Sequence, residues 1–329
     1  MEEKNNVLLD VRNLVTRFKL DDGILTAVDG VSFTVDKNQT VGIVGESGCG
    51  KSVTAFSVLR LVGAPGKVEA GNIFFDGQDL LSLTTNQMRK VRGNKISMIF
   101  QEPMTSLNPV FTCGEQIEEA LRLHLGLKGE AAKKRAIELL SAVKIPSPEQ
   151  RYTEYPHQMS GGMRQRVMIA MALACKPQLL ICDEPTTALD VTVQAQVLRL
   201  IDNLKKETGM SVIIITHDLA VISEVADKVI VMYAGRIVEE SLEKDIFTNP
   251  LHPYTEALLK SIPSSAKRGE KLYMIDGMVP NLLKENKGCM FAPRCEFAQP
   301  RCFEVEPELT DLGGGRKVRC YLREEGEVK

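Results

Sequence analysis

Residues 45–52 read GESGCGKS. Gly45, Gly48 and Gly50 fall within six positions and are followed by Lys51 and Ser52. Glycine loses more backbone freedom on folding than any other residue, so a cluster of it marks a conformation that side chains would block. The spacing Gly-x-x-x-x-Gly-Lys-Ser belongs to a loop whose inward-turned amides cradle an anion, with a helix N-terminus behind them. In such a loop the lysine reaches the β- and γ-phosphates of a nucleotide, and the serine ligates Mg2+. The flanks agree: the apolar run QTVGIV precedes the loop, and VTAFSVLRLVG, which reads as a helix, follows it. A chance glycine turn before a lysine would need neither.

A complementary set of groups lies downstream. In LLICDE the apolar run Leu179 to Cys182 ends in Asp183 and Glu184. Ligands of open α/β sheets bind at the carboxyl ends of strands. Asp183 is placed to hold Mg2+ through water, and Glu184 to polarise an attacking water as general base. SVIIITHD ends in the same manner at His217, a candidate sensor of the γ-phosphate, and Gln101 follows ISMIF. Each alone reads as a surface group at a strand end; together with the phosphate loop they read as a site. Near the C-terminus, Cys289-x5-Cys295-x6-Cys302-x17-Cys320 supplies four thiols. Four thiolates satisfy either zinc or an iron–sulfur cluster. The gaps are wider than the C-x2-C of a zinc ribbon and suit a looped peptide around a larger object. The alternative is four unligated cysteines, but a segment this poor in core residues needs a staple. Cys49 contributes through its backbone, and Cys113, Cys175 and Cys182 read as small buried hydrophobes.

These groups need elements to hold them. VLLDVRNLVTRF and AVDGVSFTV read as strands separated by LDDGILT, and GNIFFDGQDL as two strand pieces around an Asp-Gly turn. From about Ser106 to Gln158 the apolar residues switch to helical spacing, as in GEQIEEALRLHLGL and EAAKKRAIELLSAVKI. A further helix opens at SGGMRQRVMIAMALAC, with Ser160 suited to its N-cap. QLLICDE and SVIIIT are near-continuous apolar strands around a helical stretch, which implies a parallel sheet covered on both faces. KVIVMYAGRIVEE reads as a hairpin around Ala234-Gly235. Hydrophobic residues make up 43% of the 329, enough for a sizeable core, which excludes wholesale disorder. The net charge of -2, with both signs interspersed, argues against a nucleic-acid partner. No stretch approaches the roughly 20 apolar residues of a membrane span. The N-terminus lacks the basic and apolar regions of a signal peptide. The expectation is a cytoplasmic chain whose membrane role comes through partners.

The ordered set GESGCGKS, Gln101, MSGGMRQR, LLICDE, ALD (Ala188 to Asp190) and His217 resembles the ATPase subunits of ABC transporters over residues 7 to 250. The resemblance implies an α/β phosphate-loop NTPase fold. Its parts are a mostly parallel sheet, an N-terminal antiparallel β subdomain and a helical insert at about 105–160, within an ATPase domain spanning 1–250. It implies phosphate contacts from Gly45, Ser47, Gly48, Cys49, Gly50, Lys51, Ser52 and Val53, and Mg2+ contacts from Ser52, Gln101 and Asp183. Glu184, His217 and Gln101 become the catalytic groups, and Phe18 the match for the aromatic residue that stacks on adenine. Ser160, Gly161 and Gly162 match the signature that contacts ATP on the opposite subunit of a head-to-tail dimer, and Asp190 matches the D-loop. Two departures stand out: Met159 precedes the signature where leucine is usual, and Met163 follows where glutamine is usual.

NPLHPYTEALLKSIP, GMVPNLL and GCMFAPRC further resemble the C-terminal extension of the dipeptide, oligopeptide and nickel importers, here residues 251–329. In that group the four cysteines are associated with a [4Fe–4S] cluster, with zinc the alternative metal. The resemblance implies a sister ATPase subunit or an identical copy, two membrane permeases, a solute-binding protein and residence on the cytoplasmic face of the cell membrane. The competing reading is a soluble ABC ATPase of translation or DNA repair. Such chains usually carry two fused ATPase domains or a long coiled-coil insertion, and this chain has one motif set. The transported solute is not written in these residues.

Overall fold

The structure is a computed structural model of the chain, and it describes residues 6–101, 106–186, 190–262, 273–283 and 287–323. Two compact units emerge. Met1–Val35, Gln39–Leu81 and Ile215–Lys329 form the first; Asp36–Asn38 and Ser82–Ile214 form the second.

The first unit opens on two long strands, β1 (Val7–Leu20) and β2 (Gly23–Asp36), so the turn between them is tighter than LDDGILT suggests. β3 (Thr40–Val44), buried at all five positions, runs into the phosphate loop and then α1 (Lys51–Val58). β4 (Gly66–Phe75) and β5 (Gln78–Asp79) follow, joined through Asp76 and Gly77 at φ 46° and 78°. Two successive positive φ values are what a tight type I′ hairpin requires. β1 lies antiparallel to β4, with Leu9 opposite Phe75 and Phe18 opposite Gly66, in the order β2-β1-β4-β5. The expected antiparallel β subdomain is therefore present. α1 stops short of the helix read from VTAFSVLRLVG. Arg60 turns left-handed at φ 52°, its N–H bonds Ser57 O at 3.0 Å, and Leu61 N–H bonds Phe56 O at 2.7 Å. That pair of bonds is a Schellman stop.

In the second unit α2 (Thr85–Val91) precedes β6 (Ile96–Ile99). The helical insert comprises α3 (Cys113–Leu125), α4 (Glu130–Ala142) and α5 (Pro148–Tyr152). Thr112 and Glu115 form a reciprocal capping box at the start of α3. α6 (Gly161–Leu173), β7 (Leu179–Asp183) and α7 (Val191–Thr208) complete the unit. β6 and β7 pair in parallel, Ile96 opposite Leu179, and every residue of β7 is buried. Burial on both faces explains its unbroken apolar run.

β8 (Ser211–Thr216) returns the chain to the first unit. There α8 (Leu219–Val225) leads to β9 (Lys228–Tyr233) and β10 (Arg236–Leu242), with Ala234 and Gly235 at φ 48° and 84° between them. β9 is parallel to β3 and antiparallel to β10, so the sheet is mixed. After α9 (Glu243–Thr248) and α10 (Pro253–Lys260) come α11 (Arg301–Glu304), β11 (Thr310–Asp311) and β12 (Lys317–Val318). β12 pairs antiparallel with β10, extending the order to β11-β12-β10-β9-β3. The tail is thus woven into the unit that carries the phosphate loop.

α4 ends before the VKI that its periodicity included. Lys144 sits at φ 60°, with its N–H on Ser141 O at 2.9 Å and Ile145 N–H on Leu140 O at 3.1 Å. This is a second Schellman stop, carried by a residue with a Cβ penalty. Lys144→Gly is expected to raise unfolding stability by about 0.5–1 kcal/mol, read as a higher urea midpoint at unchanged slope.

Candidate active site

The phosphate loop is shaped by two backbone collisions that glycine avoids. Gly45 has φ 151°, and a Cβ there would lie 2.2 Å from the Met232 carbonyl oxygen. Gly50 has φ 99°, and a Cβ there would lie 2.3 Å from the Ala27 carbonyl oxygen. The Lys51 side chain is buried and folds back over the loop, donating to Gly45 O at 2.8 Å and Glu46 O at 2.9 Å. Among the described residues, the amide N–H groups of Ser47, Gly48 and Gly50 have no protein acceptor. Ser52 and Val53 lie in the first turn of α1. An ammonium and acceptor-free amides at a helix N-terminus form a site for a polyanion. The Cys49 thiol is buried, which raises its pKa, so it stays protonated and inert.

Two residues not singled out from the sequence grip this loop. Tyr254 accepts the Glu46 N–H at 2.9 Å, and Arg294 donates to the Glu46 carboxylate at 2.9 Å. Burial works against the Arg294 charge, but Glu46 and Tyr233 outweigh it and raise its pKa. Only long-range packing brings Tyr254 and Arg294 here; the helical period of PYTEALLK and the cysteine spacing gave no sign of it. In the same unit, His217 is exposed just beyond β8, next to Asp218, which N-caps α8. Phe18 is half-buried on β1 with its ring against Gly66.

The second unit assembles the other predicted groups. Gln101 Nε2 donates to Glu184 Oε2 at 3.0 Å. Asp183 is buried at the end of β7, and Glu184 is held left-handed at φ 45°. Such a conformation persists only where neighbours enforce it. One is Gln165, also unpredicted, whose Nε2 donates to Pro185 O at 2.6 Å. Ser160 caps α6 as expected, its Oγ accepting Met163 N–H at 3.3 Å, and Gly161 is exposed beside it. A Cβ at Gly162 would lie 3.0 Å from Val193, whose N–H is in turn bonded by Asp190 Oδ1 at 2.9 Å. Signature and D-loop residues therefore meet at Val193. Ala188 and Leu189 lie outside the described residues.

Cys289, Cys295, Cys302 and Cys320 line one pocket in the tail, together with His252 and Phe291. The backbone N–H groups of Phe291, Phe297 and Leu322 favour the charged forms of Cys289, Cys295 and Cys320, against the larger effect of burial, while Ala292 N–H bonds the Cys289 carbonyl at 3.0 Å. Gln299 N–H meets Cys302 Sγ at 3.4 Å. Burial pushes the Cys289 thiol up to about 12 and Cys320 up to about 11. Among the described residues, no group of three or more His, Cys, Asp or Glu side chains is arranged to hold a metal ion.

Comparison with known proteins places these features in a family. Residues 28–187 match the ABC transporter family, and residues 238–302 match the C-terminal region of oligopeptide/dipeptide transporters. The oligopeptide transport ATP-binding protein AppD of Bacillus subtilis is 53% identical over 320-odd positions, covering 97% of this chain and 98% of its own. The dipeptide transport ATP-binding protein DppD of Haemophilus influenzae is 51% identical, covering 97% of both. The chain belongs to the ABC transporter ATP-binding proteins. The dimeric ATP-binding cassette MJ0796, solved in a post-hydrolysis state with ADP and Pi, has a TM-score of 0.65 at 29% identity, over 71% of this chain and 98% of its own. The cassette cbiO1 of Clostridium perfringens has a TM-score of 0.63 at 26% identity, over 74% of this chain and 92% of its own. As an ABC ATP-binding protein the chain hydrolyses ATP with Mg2+ and works with membrane permease partners. Among the described residues no helix is long and apolar enough to cross a membrane.

Beside the thiol pocket, His252 Nδ1 accepts Tyr254 N–H at 3.0 Å and caps α10. Burial lowers its pKa from 6.5 to about 3, and the nearby Arg319 charge adds to the shift. The unfolded chain takes up this proton near 6.5 and the folded chain only near 3, so the stability contribution is complete above 6.5 and is lost as pH falls toward 3. The Glu239 carboxylate, which accepts the Leu251 and His252 amides, has a pKa raised by burial and titrates with the opposite slope. The loss due to His252 on going from pH 6.5 to about pH 5 is about 2 kcal/mol. In urea melts His252→Gln, which keeps an acceptor for Tyr254 N–H, is expected to show an acid-side decline smaller by about that amount.

Proposed function

We propose that this chain powers the uptake of dipeptides or oligopeptides by a membrane ABC importer. Its match to the oligopeptide/dipeptide C-terminal region and its near full-length likeness to AppD and DppD support the peptide class over a soluble ATPase of translation or DNA repair. The observation that carries the ATPase part of the reading is the buried Lys51 ammonium over a loop whose Ser47, Gly48 and Gly50 amides have no acceptor among the described residues.

In this reading residues 1–250 form the ATPase domain and 251–329 its extension. Gly45, Ser47, Gly48, Cys49, Gly50, Lys51, Ser52 and Val53 bind the phosphates. Ser52, Asp183 and Gln101 serve Mg2+, Phe18 meets adenine, and His217 senses the terminal phosphate. Glu184 orients a water for attack on the γ-phosphorus, releasing ADP and phosphate. Its bond from Gln101 holds the carboxylate in place for that task. Ser160, Gly161 and Gly162 offer a helix N-terminus to the ATP of a sister ATPase subunit, an identical copy being the alternative partner, and Asp190 relays closure. Met163 leaves the trans contact to the serine and the backbone. ATP-driven closure and reopening then switch two permeases served by a solute-binding protein, with this chain on the cytoplasmic face of the membrane.

Cys289, Cys295, Cys302 and Cys320 would hold a [4Fe–4S] cluster, with zinc the alternative metal. That all four line one pocket supports either, and the resemblance of this tail to the importer extension favours the cluster. When bound, the cluster supplies a cross-link among four distant points of the tail and an electron-accepting centre.

Two measurements test these assignments. Glu184→Gln is expected to lower ATP turnover by about 100-fold or more while retaining Mg-ATP and a closed dimer on size exclusion; wild-type turnover would remove Glu184 from its role. Anaerobically purified protein is expected to carry about four iron and four acid-labile sulfide per chain. Stoichiometric zinc without sulfide would overturn the cluster.

A further inference from the structure

The thiol segment and the phosphate loop are joined through one residue. Arg294, immediately before Cys295, is almost fully buried, its side chain 6% exposed. Its guanidinium is fixed on four sides: Nη1 donates to Glu46 Oε2 at 2.9 Å and Tyr233 Oη at 3.2 Å, Nε to Asp276 O at 3.0 Å, and Nη2 to Ile275 O at 3.3 Å. Glu46 is the second residue of the phosphate loop. Its N–H is held by Tyr254 Oη, and its carbonyl accepts Lys51 Nζ at 2.9 Å and Cys49 N–H at 3.3 Å. The gap between loop and thiol pocket is filled by rings. Tyr233 meets Tyr254 edge-on at 4.7 Å and Phe291 at 5.3 Å, and Phe291 is itself a wall of the thiol pocket.

This is a short, stiff chain of contacts. Arg294 is carried by the backbone next to Cys295, its guanidinium holds the Glu46 carboxylate, and the Glu46 carbonyl accepts the Lys51 ammonium. A planar guanidinium clamped by four acceptors cannot move without releasing the carboxylate it holds, and a lysine ammonium could not reproduce that fork. We propose that Arg294 is a positioning residue for the phosphate loop, acting through Glu46 on Lys51, so that the seating of the thiol segment sets nucleotide affinity. By linkage, bound nucleotide must tighten the thiol segment by the same factor.

The inference rests on the phosphate-loop reading above, and the experiment separates the two. Mg-ATP binding to the full chain is measured by calorimetry for the wild type, Lys51→Ala, Arg294→Ala, Glu46→Gln and the double variant. No uptake by the wild type, or full uptake by Lys51→Ala, would sink the phosphate-loop reading. If that reading holds, Arg294→Ala is expected to weaken Mg-ATP by about tenfold, as does Glu46→Gln, with the double variant no worse than either. In the transporter, KM for ATP rises while kcat holds, because the clamp touches no reacting atom. Arg294→Lys restores part of the affinity. Hydrogen exchange gives a second reading: Mg-ATP slows amide exchange across residues 289–302 in the wild type but not in Arg294→Ala. Wild-type affinity in folded Arg294→Ala and Arg294→Lys, additive losses in the double variant, or an equal exchange response with and without Arg294 would each overturn the proposal.

Discussion

The contact of Gly45 with the Met232 carbonyl, and of Gly50 with the Ala27 carbonyl, governs the rest of this structure. Both carbonyls belong to other strands, Met232 to β9 and Ala27 to β2. The loop therefore takes its shape only when β3 and β9 are in register, with Val44 opposite Val231. Its amides are then turned toward a ligand by backbone packing, which leaves the exposed Ser47 side chain outside the clamp. Lys51 closes the arrangement by tying its ammonium to the carbonyls of Gly45 and Glu46. A polyanion site built this way needs no reorganisation of the main chain to present its donors.

The second unit solves a different problem. Asp183 is buried at a strand end, and Glu184 turns sharply out of the strand in a conformation costing of order 1–3 kcal/mol for a residue with a side chain. Gln101 grips its carboxylate and Gln165 the backbone just beyond it. Two neutral amides thus hold an acidic turn without neutralising it. The contact of Gly162 with Val193, itself bonded to Asp190, gives signature and D-loop a shared support within that unit.

Much of this was legible because the chemistry is written in local patterns. The glycine spacing, the apolar runs ending in Asp183 and His217, the Asp-Gly and Ala-Gly hairpins and the N-cap at Ser160 each depend on neighbours in sequence. What escaped depends on neighbours in space. Arg294, Tyr254 and Gln165 carry no local signature, since an arginine between cysteines, a tyrosine in a short helix and a glutamine in a long one are ordinary. Helix ends were misjudged at Arg60 and Lys144 because Schellman stops normally announce themselves with glycine. β11 and β12, two residues each, were invisible because their pairing with β10 and with each other, rather than any alternation, makes them strands.

The pairing of β12 with β10 has a wider implication. Without it, the outward-facing backbone groups of β10, such as the Val238 carbonyl that accepts Arg319 N–H at 2.8 Å, would stand bare along an open sheet margin, a template for any passing extended chain. The cysteine-bearing tail shields that margin, with Val318 across from Glu239 and Lys317 across from Glu240. Damage to the thiols that loosens the tail would accordingly announce itself as clumping of the protein, even where the nucleotide chemistry survives.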